Sequence, residues 1–467
     1  MSALLPAGIA AHHPATATTG LEILLEGGTA VDAAVAAGLA SCVAETIMTG
    51  LLGGGHAITY DAASGRIRNL DCFCAVPGLG AEARGSAELV ELAVPFGAEL
   101  IHYAVGPASC AVPGVPAGLG ALWREYGVLP WERLVEPALR LAREGVEVPP
   151  AHAACLEMLA PVLTLDLGAR IYSPGGRLLR AGDRLEQPGL ANALESLAAE
   201  GPEGAYSGTI ARALLELAVE RGSRLTRADL AAYEPRWSEP VEVTRLGLRW
   251  LTRRGISLVP ETLAVLPRLD GRSPGERLLA LVAALAGGGG PEQHTTNLVT
   301  VDAAGNACVL TTSLGLGSGD YVPGLDLHLN SMLGETDLVA GGLPKPGHHI
   351  PSMMAPTLVL DTEGLVLASG AAGGTRLRTA LLTAAAGVLD EGLAPQEAVD
   401  RPRIHPDRSV VNAEPGVEED GLQALETAGW TVRRWPELHH YFGGVSLVAR
   451  SGGAADPRRS GAALAAR

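Results

Sequence analysis

The chain predicts an α+β fold, and three observations carry that expectation. Helical patterns dominate its first half, short alternating apolar strands dominate its second, and no regular strand–helix–strand alternation joins them. Residues 14–26 open as a helix with Leu21, Leu24 and Leu25 on one side, stopped by Gly27 and Gly28. An alanine-rich helix over 29–44 follows, whose small side chains permit close contact on several sides. The segment G-L-L-G-G-G at 50–55 bends the backbone ahead of strands at 57–60 and 67–71. Its spacing matches neither the P-loop nor the dinucleotide fingerprint, so no phosphate is assigned to it. Helical patterns come next at 116–126, 131–145, 188–200, 207–222 and 226–233. Strands are expected at 241–245, 297–302, 307–314, 357–361, 366–370 and 443–449, with a last helix at 375–391 after Gly373 and Gly374. The breaker-rich stretch 284–294 is the best candidate for an exposed connection, and no internal repeat is visible.

Composition narrows the function classes. At 467 residues, with 47% hydrophobic and 18% charged residues, the chain can bury a large core. Formal charge is −16, the arginines are scattered and Lys345 is the one lysine, which disfavours nucleic acid and anionic membranes as partners. The first residues carry no basic, apolar leader, and the longest apolar stretches, such as 34–43, are too short to span a bilayer. Cysteines at 42, 72, 74, 110, 155 and 308 form no C-x-x-C pair. A reducing cytoplasmic setting is expected, with Cys72 and Cys74 as small buried hydrophobes. No metal cluster and no cofactor motif stands out.

The chemistry concentrates at E-Q-H-T-T-N, residues 292–297, directly after the glycine run 287–290. Taken alone, Thr295 and Thr296 are ordinary strand formers. A loosened segment before them offers a second use. The Thr295 hydroxyl can attack the carbonyl of His294, an N-to-O acyl shift that ends in chain cleavage. Cleavage leaves Thr295 with a free α-amine, whose reference pKa of roughly 7.7–8.0 suits a general base at neutral pH. One residue then supplies nucleophile and base. Gly373 and Gly374, between a strand and a helix, read either as a tight turn or as an oxyanion hole of two backbone N–H groups. Ser313 reads either as an ordinary strand serine or as a hydrogen-bonding support for the nucleophile.

Further motifs point to a family. H-H-P-A-T-A-T-T-G-L-E-I-L, G-G-T-A-V-D-A-A-V-A-A and G-L-L-G-G-G-H, then V-P-G-V-P-A-G-L, Y-G-V-L-P-W and P-A-L-R-L-A-R-E-G, resemble the N-terminal half of γ-glutamyltranspeptidases in order. H-T-T-N-L-V-T-V-D-A-A-G-N, L-N-S-M-L-G-E, P-S-M-M-A-P-T, G-A-A-G-G-T-R and R-P-R-I-H continue the similarity through the second half. The resemblance implies an N-terminal-nucleophile hydrolase: a four-layer αββα sandwich cut by its own threonine. Residues 1–294 and 295–467 are then large and small subunits of one precursor, associated as a heterodimer that takes a small-molecule substrate. It makes Thr295 the nucleophile, Ser313 its assisting hydroxyl, Gly373 and Gly374 the oxyanion hole, and Ser352 a contact to the substrate carboxylate.

The departures from the family pattern point one way. Phe73 stands where the family grips the glutamyl carboxylate with arginine, and phenylalanine offers nothing to a carboxylate. Gly315 replaces an asparagine, Ser331 an acidic or amide residue, Gly334 the amine-binding aspartate, and Met353 the second serine of an S-S pair. Glu335 is the nearest acidic neighbour. The family's P-P-P-S-S-G-G segment is absent, and residues 250–290 look shortened. The expected function is therefore a hydrolase whose acyl pocket has left glutathione behind. Some relatives in that position cleave a C–C bond while assembling 4-alkylproline units of antibiotics. The alternatives are a conventional γ-glutamyl hydrolase or transpeptidase, and an inactive scaffold. His12 and His13 are expected to cap or pack, Trp237, Trp250 and Trp435 to pack, and the pair His348 and His349 to lie near Ser352.

Overall fold

A computed structural model describes residues 4–80, 85–96, 99–286 and 295–466. Among these, two antiparallel sheets stack face to face. The seven-stranded sheet runs Ala462–Ala465, Gly8–Ala11, Thr296–Val301, Ala307–Ser313, Gly54–Asp61, Arg66–Cys72 and Arg236–Ser238. The six-stranded sheet runs Gly452–Ala455, Gly444–Ala449, Gly364–Ala372, Thr357–Asp361, Leu248–Thr252 and Val241–Arg245.

Strand alternation builds the layers. Leu298 and Leu310 point into a core shared with the helices Pro14–Leu25, Ala30–Ala44 and Val115–Tyr126. Their neighbours Val299, Val301 and Val309 point the other way, against Leu358, Ala368 and Val448 of the second sheet. Val359, Leu367 and Leu447 then face a third core under the helix Arg376–Leu389. Helix, sheet, sheet and helix follow in that order, the αββα arrangement.

The alanine-rich helix Ala30–Ala44 is buried at every position, and a reciprocal Thr29–Asp32 capping box fixes its start. On the leucine side that the sequence suggested for the preceding helix, Leu21 and Leu24 are half-buried against the core. Leu25 is 60% exposed, whereas Ala17 and Gly20 are buried. A Cβ on Gly20 would meet Ile9 at 2.3 Å, so this helix packs through its small residues. Several elements lie outside the sequence-based expectations, among them the helices Pro150–Leu163 and Pro274–Leu285 and the strand Leu248–Thr252. Pro150 sits in the first turn of its helix, where proline is tolerated, and Pro161 lies inside the last turn, where its missing N–H leaves one helix bond unmade; both read as breakers in sequence. The expected exposed connection is helical as far as Leu285, and 287–294 lie outside the described residues.

Candidate active site

Thr295 is 1% exposed and leads directly into the strand Thr296–Val301. That strand pairs Thr296 with Thr312 and Asn297 with Thr311, so the same register sets Ser313 opposite Thr295 on one sheet face. Ser313 Oγ accepts the Gly315 N–H at 2.9 Å, which fixes the hydroxyl. Thr296 points the opposite way, into the helix layer, where it donates to the Glu45 carboxylate. Thr16 donates to the other Glu45 oxygen at 2.7 Å. His12 Nδ1 accepts the Asn297 N–H at 3.3 Å, which places the ring proton on Nε2. The proposed cleavage partner His294 lies outside the described residues.

The strand Gly364–Ala372 of the second sheet packs across this one. A Cβ at Gly370 would fall 2.1 Å from Asn297 Nδ2, so the two backbones approach as closely as glycine allows. Three residues on, Gly373 and Gly374 have φ of 126° and 59°. This left-handed pair turns the chain into the helix Arg376–Leu389 at its positive end, the geometry that presents backbone N–H groups to an anion.

The expected substrate-head positions gather beside a packed apolar cluster. Phe73 is fully buried, stacks on His56 at 5.5 Å, and joins Met332, Ile350, Met353 and Met354. Ser352 Oγ accepts the Met354 N–H at 3.3 Å. The Arg253 guanidinium reaches the same segment, but it donates to the backbone oxygens of Ser352 at 2.8 Å and Met354 at 3.2 Å. Ser331 Oγ accepts the Leu316 N–H at 2.9 Å and donates to Glu335 at 3.4 Å. A Cβ at Gly315 would lie 2.5 Å from Ser331 Oγ and 2.8 Å from Glu335 Oε1, so those side chains occupy the space of a larger residue. At Gly334 a Cβ would lie 1.6 Å from the Ala104 carbonyl oxygen, which excludes any side chain there.

Buried titratable groups surround the strand Thr296–Val301. Burial pushes the Glu45 carboxyl up to about 7, against the hydrogen bonds from Thr296 and Thr16. Burial, reinforced by Arg459, pushes His12 down to about 3, so its ring is neutral. Arg459, 1% exposed, sits behind the diglycine and falls to about 10 by burial. Burial alone would push the Asp71 carboxyl up, but His56 and a 3.0 Å hydrogen bond from His349 outweigh it and hold it well below the usual range. Among the described residues, no group of three or more His, Cys, Asp or Glu is arranged to hold a metal ion.

A family model, Gamma-glutamyltranspeptidase, matches residues 16–266 and 282–466. The chain belongs to the γ-glutamyltranspeptidase family. It is 28% identical over 515 residues to the acylase ACY 1 proenzyme of Pseudomonas sp. (strain V22), covering 94% of this chain and 89% of that protein. It is also 28% identical over 539 residues to the glutathione hydrolase proenzyme of Escherichia coli (strain K12), covering 97% and 90%. A solved cephalosporin acylase from Bacillus halodurans has the same fold, with a TM-score of 0.82 at 24% identity over 99% of this chain and 96% of that one. The four-layer fold is thus that of the N-terminal-nucleophile hydrolases, and this γ-glutamyltranspeptidase relative sits among hydrolases and transpeptidases, several of them named proenzymes.

Within that family frame, the structure aligns Thr295 with Ser313 and brings Phe73 and Met353 into one cluster, with Gly315 and Ser331 in contact beside it. Sequence reasoning did not single out Glu45 or Arg459, and it left His12 with a bland capping or packing role. The cap belongs to His13, whose Nδ1 accepts the Ala15 N–H at 3.0 Å. Glu45 did leave a signal: a lone carboxylate closing an otherwise apolar run of alanine and valine. Among the described residues no helix is long and apolar enough to cross a membrane.

Proposed function

We propose that the chain is an autoprocessing N-terminal-threonine hydrolase acting on acyl donors that lack the zwitterionic glutamyl head. In maturation, Thr295 Oγ1 attacks the His294 carbonyl, the peptide C–N bond breaks, and water hydrolyses the resulting ester. Residues 1–294 and 295–467 then remain together as large and small subunits. In turnover Oγ1 attacks the donor carbonyl, the new α-amine takes the hydroxyl proton, and Gly373 and Gly374 N–H groups hold the oxyanion. Ser313, opposite the nucleophile, orients it. Water releases the acyl group. The six free cysteines among the described residues are all buried, which supports a reducing cytoplasmic setting.

One observation carries the departure from glutathione: the position expected to grip a carboxylate is Phe73, fully buried among methionines, with no charge to offer. Ser352 and Arg253 are tied to backbone groups, and Gly315 and Gly334 have no room for the amide and carboxylate that would hold an amine. The likeness to a protein named an acylase supports an amide donor with a different acyl part. Hydrolysis of a C–C bond beside a ketone, as in 4-alkylproline assembly, uses the same attack and the same oxyanion hole, and belongs to this proposal on the altered pocket alone.

Two measurements test it. Intact mass spectrometry of the purified chain should give fragments beginning at residues 1 and 295, while Thr295→Ala stays a single chain. The matured protein should turn over butyryl-p-nitroanilide faster than γ-glutamyl-p-nitroanilide. Robust γ-glutamyl turnover refutes the altered pocket, and an uncut wild-type chain after prolonged incubation favours the scaffold.

A further inference from the structure

A buried guanidinium and a buried carboxyl that ionises at about pH 7 lie near the candidate nucleophile, and among the described residues neither forms an ion pair. Glu45 is fully buried and takes its hydrogen bonds from the hydroxyls of Thr16 and Thr296, the residue after Thr295. Arg459 lies in the turn Pro457–Arg459. Its Nη2 is 3.4 Å from where a Cβ of Gly373 would sit. Its Nη1 meets His440 Nδ1 at 2.7 Å and Met48 Sδ at 3.7 Å, while Nε and Nη2 have no hydrogen-bond partner.

The adjacent arginines show what the fold does when a buried guanidinium serves structure. Arg458 is paired with Glu414 and Asp456, and Arg403 with Asp456 at 2.6 Å. An unpaired buried charge is costly, so Arg459 stands out against this background.

We propose that Arg459, beside Gly373, and Glu45, beside Thr296, form a charge pair that acts on the nucleophile. Arg459 stabilises the negative charge that gathers on the acyl oxygen at Gly373 and Gly374. Glu45 stabilises the positive charge that the Thr295 α-amine acquires. The inference rests on the proposed Thr295 mechanism. As the Oγ1–C bond forms, the carbonyl electron pair moves to oxygen and the hydroxyl proton moves to the amine, so one step creates both charges. A fixed field along that direction lowers the barrier without touching the substrate. Glu45 faces Thr16, Thr296, Cys42 and, through space, Arg459. Arg459 faces His440, Cys155, Asp456, Arg376, His12 and His152. Glu45 and Arg459 both act on the reacting atoms from a distance and are positioning residues.

The test uses matured full-length protein with p-nitrophenyl butyrate as probe, following kcat, KM and the pH profile of kcat/KM. Removing a nearby positive charge raises the amine's pKa, and removing a negative one lowers it. Arg459→Met should therefore lower kcat by roughly tenfold or more with KM nearly unchanged, and should move the acid limb to higher pH. Arg459→Lys should restore most of the rate, and Glu45→Gln should move the acid limb to lower pH. If Arg459→Met fails to mature, the Glu45→Gln and Arg459→Lys profiles decide alone. Acid limbs that move together, or do not move, overturn the charge pair, as does a lysine variant no better than methionine. Wild-type ester turnover by Thr295→Ala overturns the nucleophile itself and this inference with it, and is recognised without either charge variant.

Discussion

Glu45→Gln should make the protein's stability less dependent on pH, by an amount the structure sets. Burial raises the Glu45 carboxyl from its ordinary 4.5 to about 7. A tenfold change in proton affinity is worth about 1.36 kcal/mol, so ionising this group in the folded state costs about 3 kcal/mol. The sign follows from a raised acid. Its contribution is fully present below the unfolded value of 4.5, declines as pH rises, and is lost once pH passes about 7. Glutamine keeps the neutral shape and cannot ionise, so it retains that contribution at high pH. Urea unfolding of both variants, in the uncut Thr295→Ala background, between pH 4 and pH 9 isolates the effect, because every other titrating group is shared and cancels in the difference. The Gln variant should gain about 3 kcal/mol on the parent across the window, with a plateau above pH 7. A difference flat with pH would refute the claim that burial raises the pH at which this carboxyl ionises.

Three further outcomes follow from packing and charge. Asp456 accepts from Arg403, Arg458 and the Val445 N–H and is fully buried, so Asp456→Asn should cost about 3–5 kcal/mol by leaving guanidinium charge uncompensated, read from the urea midpoint. Gly370→Ala places a Cβ 2.1 Å from Asn297 Nδ2 and should cost about 1–3 kcal/mol while slowing release of the 295–467 fragment, followed by mass spectrometry. Phe73→Arg puts an unpaired guanidinium among Met332, Met353 and Met354; it should cost about 3–5 kcal/mol in the same urea assay and gain no γ-glutamyl-p-nitroanilide turnover.

The strands and turn around the candidate nucleophile were legible because their signals are local. A glycine run before two threonines, a diglycine between strand and helix, and alternation along 297–302 and 307–314 each fit within a dozen residues. Strand and helix bounds near the site came out within a few residues for the same reason: Thr296–Val301, Ala307–Ser313 and Arg376–Leu389. What stayed hidden depends on distance along the chain. Arg459 meets Met48 across 411 positions, and Thr296 meets Glu45 across 251, so neither has a spacing to read. Leu25 misled because leucine usually marks a buried face, yet the neighbouring helix comes too close for it and alanine and glycine take that face.

The two halves of the candidate site also differ in what they hang on. Thr295 and Ser313 are set by the register of paired central strands, whose side chains fill cores on both faces; shifting either strand would move Leu298 and Val299 as well. Phe73, Gly315, Ser331 and Met353 lie just beyond strand ends or in the turns that follow them, where a change of residue disturbs no register. Glu335 and Ser331 fill the space beside Gly315, the Ala104 carbonyl fills the space at Gly334, and methionines close around Phe73. A larger side chain at either glycine therefore meets a neighbour already in its place. An aspartate at position 334 would require the strand Glu99–Val105 to move away from it.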